Sequence, residues 1–309
     1  MERSFEIIPF EALNLENGRG MLFQYTPFEL CCALKPFALR HLLDQGFERV
    51  IYLDADMAVF SGFGPVLEAL GSADVLVTPH LDAPFPQDGL QPDDGHLLLS
   101  GMFNLGFIGV RDTHQGRAFI NWWADKLERG CIEDHFNGLF VDQKYVDLAV
   151  GLFEGLRLLR HPGCNVAYWN LHSRKVTRDG QDWRVNGEPL VFFHFSDFDP
   201  ERPRILSGHQ TRFDLSELPD LAVLFENYSA RLRENGLAET RQLPYGYSRY
   251  RQGGGISPAM RRAYLRASDR DRVINAFDRA QHPMSLRIAA SVQWIRLSVT
   301  RLAHKLRRI

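Results

Sequence analysis

The sequence predicts an α/β fold in which a mostly parallel sheet is flanked by helices and followed by a C-terminal helical extension. Two apolar runs without polar alternation, residues 50–53 and 75–77, are typical of strands buried on both faces of a parallel sheet. Residues 28–45 and 114–129 carry apolar side chains at helical spacing. Because strands and helices alternate along the chain, the pattern favours the α/β class.

The first part of the chain is predicted to contain a strand, a loop and a long helix. We expect a short strand at residues 5–9 and a loop at residues 10–27. Residues 28–45 form the helix, which Gly46 ends. Pro36 lies inside it, and a proline in a helix interior predicts a kink or a restart.

Between residues 50 and 110 the chain is predicted to alternate buried strands with connecting segments. Strands at residues 50–53 and 74–78 are separated by a short helix at residues 65–70. The proline-rich residues 79–96 show no periodicity, and a loop of this length is usually functional or mobile. Residues 103–110 form a strand whose glycines indicate close approach of a neighbouring backbone or a ligand.

The later part of the chain changes from a strand-and-helix pattern to a helical one. Before the change, we expect a helix at 114–129, a helix that opens at Asp142, and strands at 156–159 and 190–195. From about residue 216 onward the pattern is helical. We therefore place an α/β domain in residues 1–215 and a helical extension in residues 216–309.

The composition is that of a globular protein with little net charge. The 309 residues are enough to bury a core, and a formal net charge of −2 argues against bulk binding of nucleic acid. The four cysteines form no C-x-x-C pair and no disulfide-dense framework, which indicates a reducing compartment. No apolar run approaches the ~18–20 residues of a membrane span, so we expect a cytoplasmic protein.

Two aspartates one residue apart follow the strand at residues 50–53. Asp54 and Asp56 stand where open α/β sheets bind their ligands, at the carboxyl end of a strand. Two carboxylates there suit Mg²⁺ or Mn²⁺, which leave coordination positions for phosphates and water. A strand followed by an aspartate-rich turn explains the same residues, and the motif alone leaves both interpretations open.

Further polar residues interrupt apolar runs in the same domain. They are Asn104, the pair Asp142 and Gln143, and His194. Each has a purely structural explanation: Asn104 as a buried turn amide, Asp142 as a helix cap and His194 as a hydrogen-bonded core residue. In a parallel sheet, these positions fall on one edge. Together with the two aspartates, they predict a single site.

Five segments give the chain a resemblance to the bacterial glycosyltransferases of the GT-A fold, most closely to glycosyltransferase family 8. They occur in the family's order between about residues 30 and 200: Tyr52-Leu53-Asp54-Ala55-Asp56, Phe103-Asn104-Leu105-Gly106, Asp142-Gln143, Trp169-Asn170 and Phe193-His194-Phe195. Residues 245–250 resemble a segment that follows such domains in bacterial polysaccharide-cluster transferases. The resemblance implies a GT-A-like fold and sugar transfer from a nucleotide diphosphate sugar to a saccharide or lipid-linked acceptor, in surface polysaccharide synthesis.

The resemblance also implies a role for individual residues. A divalent metal, Mn²⁺ or Mg²⁺, on the donor diphosphate is held by Asp54, Asp56 and His194. The substrate-binding residues are Lys35, which faces the donor, together with Asn104, Gly106, Trp169 and Asn170. The catalytic residues near the anomeric carbon are Asp142 and Gln143. Family 8 retains the anomeric configuration, and Gln143 would then be a polar stabiliser on the face opposite the leaving group.

The chain departs from the family pattern in two places. The family begins with a strand that binds the nucleotide base, followed by another strand and helices. These elements comprise roughly sixty residues, judged from the ~30-residue size of a strand–helix–strand unit, and they have no counterpart here. We therefore expect either an N-terminally incomplete domain or a different way of binding the base. After His194 the family has glycine and then Lys-Pro-Trp, whereas this chain has Asp197 and Asp199. Arg202 or Arg204 is the candidate replacement for that lysine.

Two other functions fit part of the sequence. A haloacid-dehalogenase-type phosphotransferase also opens with an apolar strand and Asp-x-Asp, and Asp54 would be its nucleophile. That class expects Thr or Val where Ala58 stands, and a later acidic pair at a strand end, whereas Asp93 and Asp94 lie in a loop. The other alternative is a truncated, non-catalytic scaffold, which direct measurement of nucleotide binding would distinguish.

Residues 284–309 are predicted to form a basic amphipathic helix without an acidic residue. Its cations are Arg287, Arg296, Arg301, Lys305, Arg307 and Arg308. At ~100° per residue, one face collects Ile288, Val292, Ile295, Val299, Leu302 and Leu306, and Trp294 lies on the basic side. Two interpretations stay open: the apolar face packs on the domain, or it lies on an anionic bilayer, as in a peripheral inner-membrane protein.

Overall fold

The computed structural model describes residues 5–267 and 275–306, with side chains as far as residue 298. Its helices are α1 (Gly18–Gln24), α2 (Pro27–Asp44), α3 (Gly64–Gly71), α4 (Asp94–Ser100), α5 (His114–Gly130), α6 (Gln143–Leu152), α7 (Pro219–Glu234), α8 (Leu237–Arg241), α9 (Pro258–Arg266) and α10 (Met284–Leu306). Its strands are β1 (Arg49–Leu53), β2 (Met57–Val59), β3 (Val75–Pro79), β4 (Phe103–Arg111), β5 (Glu133–Asp134), β6 (Leu139–Phe140), β7 (Leu156–Leu158), β8 (Val176–Asp179), β9 (Asp182–Val185), β10 (Glu188–Pro189) and β11 (Phe192–His194).

The central sheet confirms the α/β class, with one strand reversed. In the described residues its order is β1-β4-β3-β7. The pair β3–β7 is parallel, whereas β4 is antiparallel to both β1 and β3. Three strands therefore run in one direction and β4 runs against them. The sequence does not reveal this reversal, because a strand buried on both faces is continuously apolar in either direction.

The two faces of the sheet bury alternate side chains, as continuous apolar runs require. Val77 and Ile108 point into a cluster with α2 and α5, which includes the fully buried Trp123. Leu76 and Phe107 point into a second cluster, which α3 closes from the other side. The helices α2 and α3 therefore lie on opposite faces of the sheet.

A small antiparallel pair stands beside the central sheet and positions the strand that ends in a histidine. Strand β11 pairs with β2, so His194 lies opposite Met57. The N–H of Phe195 also donates to the carbonyl of Asp56 at 2.9 Å. This pairing, which was not predicted, brings a histidine from late in the chain next to the aspartates after β1.

The helices after residue 215 complete apolar clusters that begin earlier in the chain. Phe225 of α7 packs edge-on against Phe193 and Phe195 around β11. Tyr264 of α9 packs against Phe23 of α1, in a cluster that also buries Leu286 of α10. Helices continue to the end of the described residues, as predicted. They pack on the preceding part of the chain through these shared clusters.

The N-terminal segment differs from the prediction. Residues 5–9 form no strand, no described strand lies beside them, and the side chains of Phe5 and Ile7 are exposed. A 3-10 helix follows at Phe10–Leu13, and Gly18–Gln24 is the helix α1 where we expected a loop. The loop was expected because each glycine disfavours a helix by about 1 kcal/mol. In the structure, burial of the α1 side chains outweighs that cost.

Helix α2 runs without interruption through its proline. Thr26 and Glu29 form a capping box at its start, with the Glu29 N–H donating to Thr26 Oγ1 at 3.3 Å. The helix continues past Pro36 to Asp44, so the expected restart is wrong. Burial of one side of α2 against the sheet and α5 offsets the hydrogen bond that Pro36 cannot donate.

Arg261 of α9 supports a prediction about stability. Its buried guanidinium donates to the carbonyl oxygens of Leu22, Phe23 and Tyr25 at the end of α1, and to that of Tyr247. The substitution Arg261→Met leaves these buried acceptors unpaired, so we expect the free energy of unfolding to fall by about 3 kcal/mol. Urea denaturation measures it, with Arg231→Met on exposed α7 surface as a control that stays near wild type. An unchanged midpoint in Arg261→Met would show that the guanidinium does not stabilise the end of α1.

Candidate active site

A buried lysine joins two of the predicted aspartates. The Nζ atom of Lys35 lies 3.2 Å from Asp54 Oδ1 and 3.0 Å from Asp142 Oδ2, and it donates to the carbonyl of Leu105 at 2.9 Å. The side chains of Lys35 and Asp142 are only 3% and 1% exposed. Three protein acceptors surround an ammonium group that has three N–H bonds. In this conformation Lys35 therefore contacts protein groups at its ammonium end. Its predicted contact with the nucleotide-sugar donor stays a prediction.

The electrostatics of this cluster follow from burial and charge. Burial disfavours the charged form of Lys35, but the carboxylates of Asp142 and Asp54 outweigh it and raise the lysine pKa well above its usual range. Burial also raises the pKa of Asp142, an effect that Lys35 partly offsets. The hydroxyl of Tyr52 donates to Asp54 Oδ1 at 2.7 Å and holds that carboxylate in place.

Two carboxylates and an imidazole converge beside this cluster. One ligand atom from each of Asp54, Asp56 and His194 lies within 4.8 Å of the others. His194 Nε2 is 3.1 Å from Asp56 Oδ1. Burial opposes ionisation of Asp56, but its hydrogen bond and attraction to His194 outweigh burial and lower the pKa of Asp56. The three residues predicted as metal ligands are therefore brought together.

The three groups fit a divalent metal. Two carboxylate oxygens and one imidazole nitrogen are a donor set that Mn²⁺ accepts readily, and carboxylates also suit Mg²⁺. The side chains of Asp54 and Asp56 are 28% and 46% exposed, whereas His194 is buried. The protein therefore covers the imidazole side of the cluster and leaves the carboxylate side open to phosphate oxygens and water.

The amide of Asn104 holds the imidazole of His194. Its Oδ1 atom accepts hydrogen bonds from the backbone N–H of Gly106, from Asn165 Nδ2 and from His194 Nδ1, each at 3.1 Å. Because Oδ1 is an acceptor, His194 carries a hydrogen on Nδ1 and directs Nε2 towards Asp56. Asn104 thus fixes the orientation of the imidazole from the protein side, as outer partners of metal-bound histidines do.

The reversal of β4 explains why Asn104 reaches this site. Asn104 stands near the start of β4, and its register partner Thr78 stands near the end of β3. Our prediction placed Asn104 at this edge on the assumption of a parallel sheet. In a parallel strand, a residue at the start would lie at the opposite edge. The predicted edge for Asn104 is therefore correct, but the predicted direction of β4 is wrong.

Gly106 provides the space in which His194 packs. A Cβ atom at this position would lie 2.5 Å from Met57 Cε, 2.6 Å from His194 Cε1 and 2.8 Å from Asn104 Oδ1. Real Cβ contacts are longer than these distances, so a larger residue would displace the imidazole. In this conformation Gly106, which was predicted to line the sugar pocket, lies against His194. Its contact with the sugar stays a prediction.

Gln143 is bound to the protein at both ends of its amide. Its Oε1 accepts hydrogen bonds from the Leu105 N–H at 3.2 Å and from Asn104 Nδ2 at 3.3 Å, and its Nε2 donates to the Ser100 carbonyl at 3.0 Å. Asp142, at the N-cap position of α6, makes no capping hydrogen bond and pairs with Lys35. The two predicted catalytic residues therefore lie beside Asp54, Asp56 and His194, in contact with residues that support these three side chains.

Trp169 and Asn170 lie behind the site. The Trp169 ring packs edge-on at 5.2 Å against both His194 and His80. Asn170 is fully buried, accepts from the Ala167 N–H and donates to the Asn165 carbonyl. In this conformation both residues support the loop that carries Asn165. Their predicted contact with substrate stays a prediction.

Sequence reasoning missed two supporting residues, Asn165 and His80. Asn165 adopts a positive φ of 54° and donates to Thr78 Oγ1 at 2.6 Å. The preceding Pro162-Gly163 turn is a weak signal for such a residue. His80 bonds to the Gly101 carbonyl at 2.9 Å, and burial lowers its pKa to about 4, so it is neutral at pH 7. Arg202, a candidate pyrophosphate ligand, is exposed and pairs with Asp199.

The chain shows similarity to transferases that use nucleotide sugars. Residues 14–152 match the family described as nucleotide-diphospho-sugar transferase. The matched region extends from before α1 to the end of α6, so it contains Lys35, both aspartates, Asn104 and Gln143 but not His194. This similarity supports a relationship to the GT-A-like glycosyltransferase superfamily.

Two Bacillus subtilis (strain 168) proteins, both described as uncharacterized, are similar over a longer region. YfnF is 28% identical over 199 residues, which cover 63% of this chain and 65% of YfnF. YfnD is 29% identical over 178 residues, which cover 56% of this chain and 55% of YfnD. The chain thus spans between about half and two thirds of the length of these relatives. Their descriptions assign no activity.

The buried ion pairs of Lys35 support a prediction about stability and pH. The substitution Lys35→Met leaves the buried Asp142 carboxylate uncompensated, and we expect the free energy of unfolding at pH 7 to fall by about 3–5 kcal/mol. Loss of the cation raises the pKa of Asp142 further above its unfolded value of about 4, so the loss grows as the pH rises and Asp142 ionises. Urea denaturation at several pH values between about 5 and about 8 measures the free energy of unfolding of both proteins.

Lys175→Met is the matched control for this experiment, because Lys175 is exposed. We expect its unfolding free energy to follow wild type at every pH. A Lys35→Met protein that is as stable as wild type across the range would contradict the prediction. A deficit that does not depend on pH would show that Asp142 is not the group left uncompensated.

Proposed function

We propose that this protein transfers a hexose-type sugar from a nucleotide diphosphate sugar to a saccharide or lipid-linked acceptor, with a bound Mn²⁺ or Mg²⁺ and with retention of configuration. Surface polysaccharide synthesis is the process to which we assign it. The convergence of Asp54, Asp56 and His194 within 4.8 Å carries this proposal. Two of these residues lie inside the region that matches nucleotide-diphospho-sugar transferases, which supports sugar transfer over the phosphotransferase alternative.

The proposed metal ligands are Asp54, Asp56 and His194, with Nε2 as the donor atom of the histidine. A bound divalent metal would neutralise the charge that develops on the departing nucleoside diphosphate. The chain's own residues position the ligands: Tyr52 and Lys35 hold Asp54, and Asn104 holds His194. Little reorganisation of these groups is then needed when the donor binds.

The position of Asp142 supports retention. An inverting transfer needs a carboxylate that is free to take the acceptor proton. Asp142 lies across Lys35 from Asp54, but it is paired with that lysine and almost completely buried. We propose that Asp142 keeps Lys35 in place and that Gln143 positions Asn104 and the β4 backbone next to the anomeric carbon. In this proposal Gln143 stabilises the reacting sugar as a polar group, at a position where a carboxylate nucleophile could have been expected.

Removal of one metal ligand tests the metal site. In Asp56→Ala we expect Mn²⁺ affinity in the presence of UDP to fall by more than about tenfold, because one of three charged or polar ligands is lost. The fold should persist, since the Asp56 side chain is 46% exposed. Electron paramagnetic resonance of free Mn²⁺ measures binding, and circular dichroism confirms folding. Asp125→Ala, on the exposed side of α5, is the control.

Two results of this experiment would overturn parts of the proposal. Wild-type binding by Asp56→Ala would remove Asp56 from the metal site. A wild-type protein that binds neither Mn²⁺ nor any of a panel of UDP, GDP and dTDP sugars, as judged by thermal shift, would support the non-catalytic scaffold.

The anomeric configuration of the product tests the proposed stereochemistry. With the donor identified by thermal shift and presented in its α form, we expect an α-linked product, because Lys35 occupies the carboxylate of Asp142. Proton NMR of the anomeric hydrogen, recorded early in the reaction, distinguishes the two anomers. A β-linked product would refute retention and would leave the metal site and the donor class intact.

A further inference from the structure

Helix α10 packs on the rest of the chain through one narrow face. Leu286 is buried in a cluster with Phe23 and Tyr264, and the small side chains of Ala289 and Ala290 contact the same cluster. Gln293, one further turn along α10, is buried and accepts a hydrogen bond from Arg266 Nη1 at 2.9 Å. The face of α10 that contacts the domain thus consists mainly of small or polar side chains, and among the described side chains Leu286 is the one large apolar residue of α10 in this cluster.

The large apolar residues of α10 lie on the opposite face and are exposed. Met284, Ile288 and Ile295 are 67%, 58% and 58% exposed, and Val292 is also exposed. At ~100° per residue, Met284, Ile288 and Ile295 fall within about 40° of one another and about 180° from Leu286. The predicted apolar face of this helix therefore points away from the domain over its described side chains, and we call these four residues the outer ridge.

Positive charge flanks the outer ridge. At ~100° per residue, Arg287 lies on one side of the ridge and Arg296 on the other, and both are exposed. Trp294, which is 64% exposed, lies on the same side as Arg287. Residues 284–309 contain no acidic residue. An apolar ridge with cationic flanks and a tryptophan is the composition of helices that lie in a membrane interface.

We propose that α10 docks this protein on the surface of an anionic lipid bilayer through the outer ridge. Among the described residues, no helix combines the length and apolarity needed to cross a membrane, so α10 would lie along the surface. The proposal rests on the faces of α10 and not on the proposed sugar transfer. The predicted cations Arg307 and Arg308 lie outside the described residues, and the side chains of Arg301 and Lys305 are not described either.

A second copy of the chain fits the outer ridge less well than a bilayer does. A stable dimer usually buries ~800 Å² on each partner, whereas the ridge consists of four side chains on one helix. In a two-fold dimer through this ridge, the arginines of one α10 would lie near those of the other, with no acidic residue on either helix to balance them. Anionic lipid headgroups supply the opposite charge, and the acyl region accepts the ridge.

Co-sedimentation of the full chain with vesicles tests the proposal. We expect binding to phosphatidylcholine vesicles with about 30% phosphatidylglycerol at about 50 mM salt, little binding to pure phosphatidylcholine, and loss of binding at about 500 mM salt. The double substitution Ile288→Glu with Ile295→Glu should lower the partition coefficient more than about tenfold. Arg287→Gln and Arg296→Gln should each lower it about fivefold.

Point substitutions are preferable to deletion of α10, because deletion would expose the cluster around Phe23. The control is Leu67→Glu, an exposed position on α3, which lies on the face of the sheet opposite α2; we expect wild-type partitioning. Absence of binding to the anionic vesicles at low salt would overturn the proposal, as would wild-type binding by the glutamate variant. A dimer that sediments without lipid and dissociates in that variant would assign the ridge to a second copy.

Discussion

The ammonium group of Lys35 connects four elements at the candidate active site. Helix α2 carries it to Asp54 after β1, to the Leu105 carbonyl in β4 and to Asp142 before α6. Burying a charge costs several kcal/mol unless it is paired, so each partner is needed to keep the others in the core. The contact fixes the start of α6 relative to the end of β1. As a result, Gln143 contacts β4 beside the candidate metal ligands Asp54, Asp56 and His194.

Strand β4 supplies the next layer of this arrangement because it runs against its neighbours. Its reversed direction places the start of β4 beside the end of β3, so Asn104 reaches the edge where β1 delivers its aspartates. From there one amide oxygen receives three N–H donors, among them His194 Nδ1. The buried network thus orients the imidazole, and the aspartates keep their open side towards solvent. A rigid protein side and an accessible ligand side are what a site for exchanging substrates requires.

The sequence was informative where local pattern and chemistry coincide. Asp54 ends the apolar run of β1, so the fold class predicted that the aspartates lie at the edge of the sheet. The position of His194 beside them depends on the pairing of β11 with β2, which the sequence did not predict. The resemblance placed Lys35 at the site, but its burial and its ion pairs with Asp54 and Asp142 could not be predicted, because a lysine in an amphipathic helix normally lies on the solvent side. It is buried only because its partners come from distant parts of the chain. The orientation of α10 was open for a related reason: periodicity identifies an apolar face but not whether that face contacts the domain.

Helix α2 relates the two regions to which we assign functions. Its middle carries Lys35 at the candidate active site, and its first turn carries Glu29, which accepts hydrogen bonds from Arg262 of α9. Helix α9 in turn packs along α10. Because α2 is a single uninterrupted helix despite Pro36, these contacts hold the outer ridge in a fixed position relative to the candidate metal ligands. A surface that anchors the chain would therefore also set the direction in which the open side of the aspartates faces, and a lipid-linked acceptor would meet the site in one orientation.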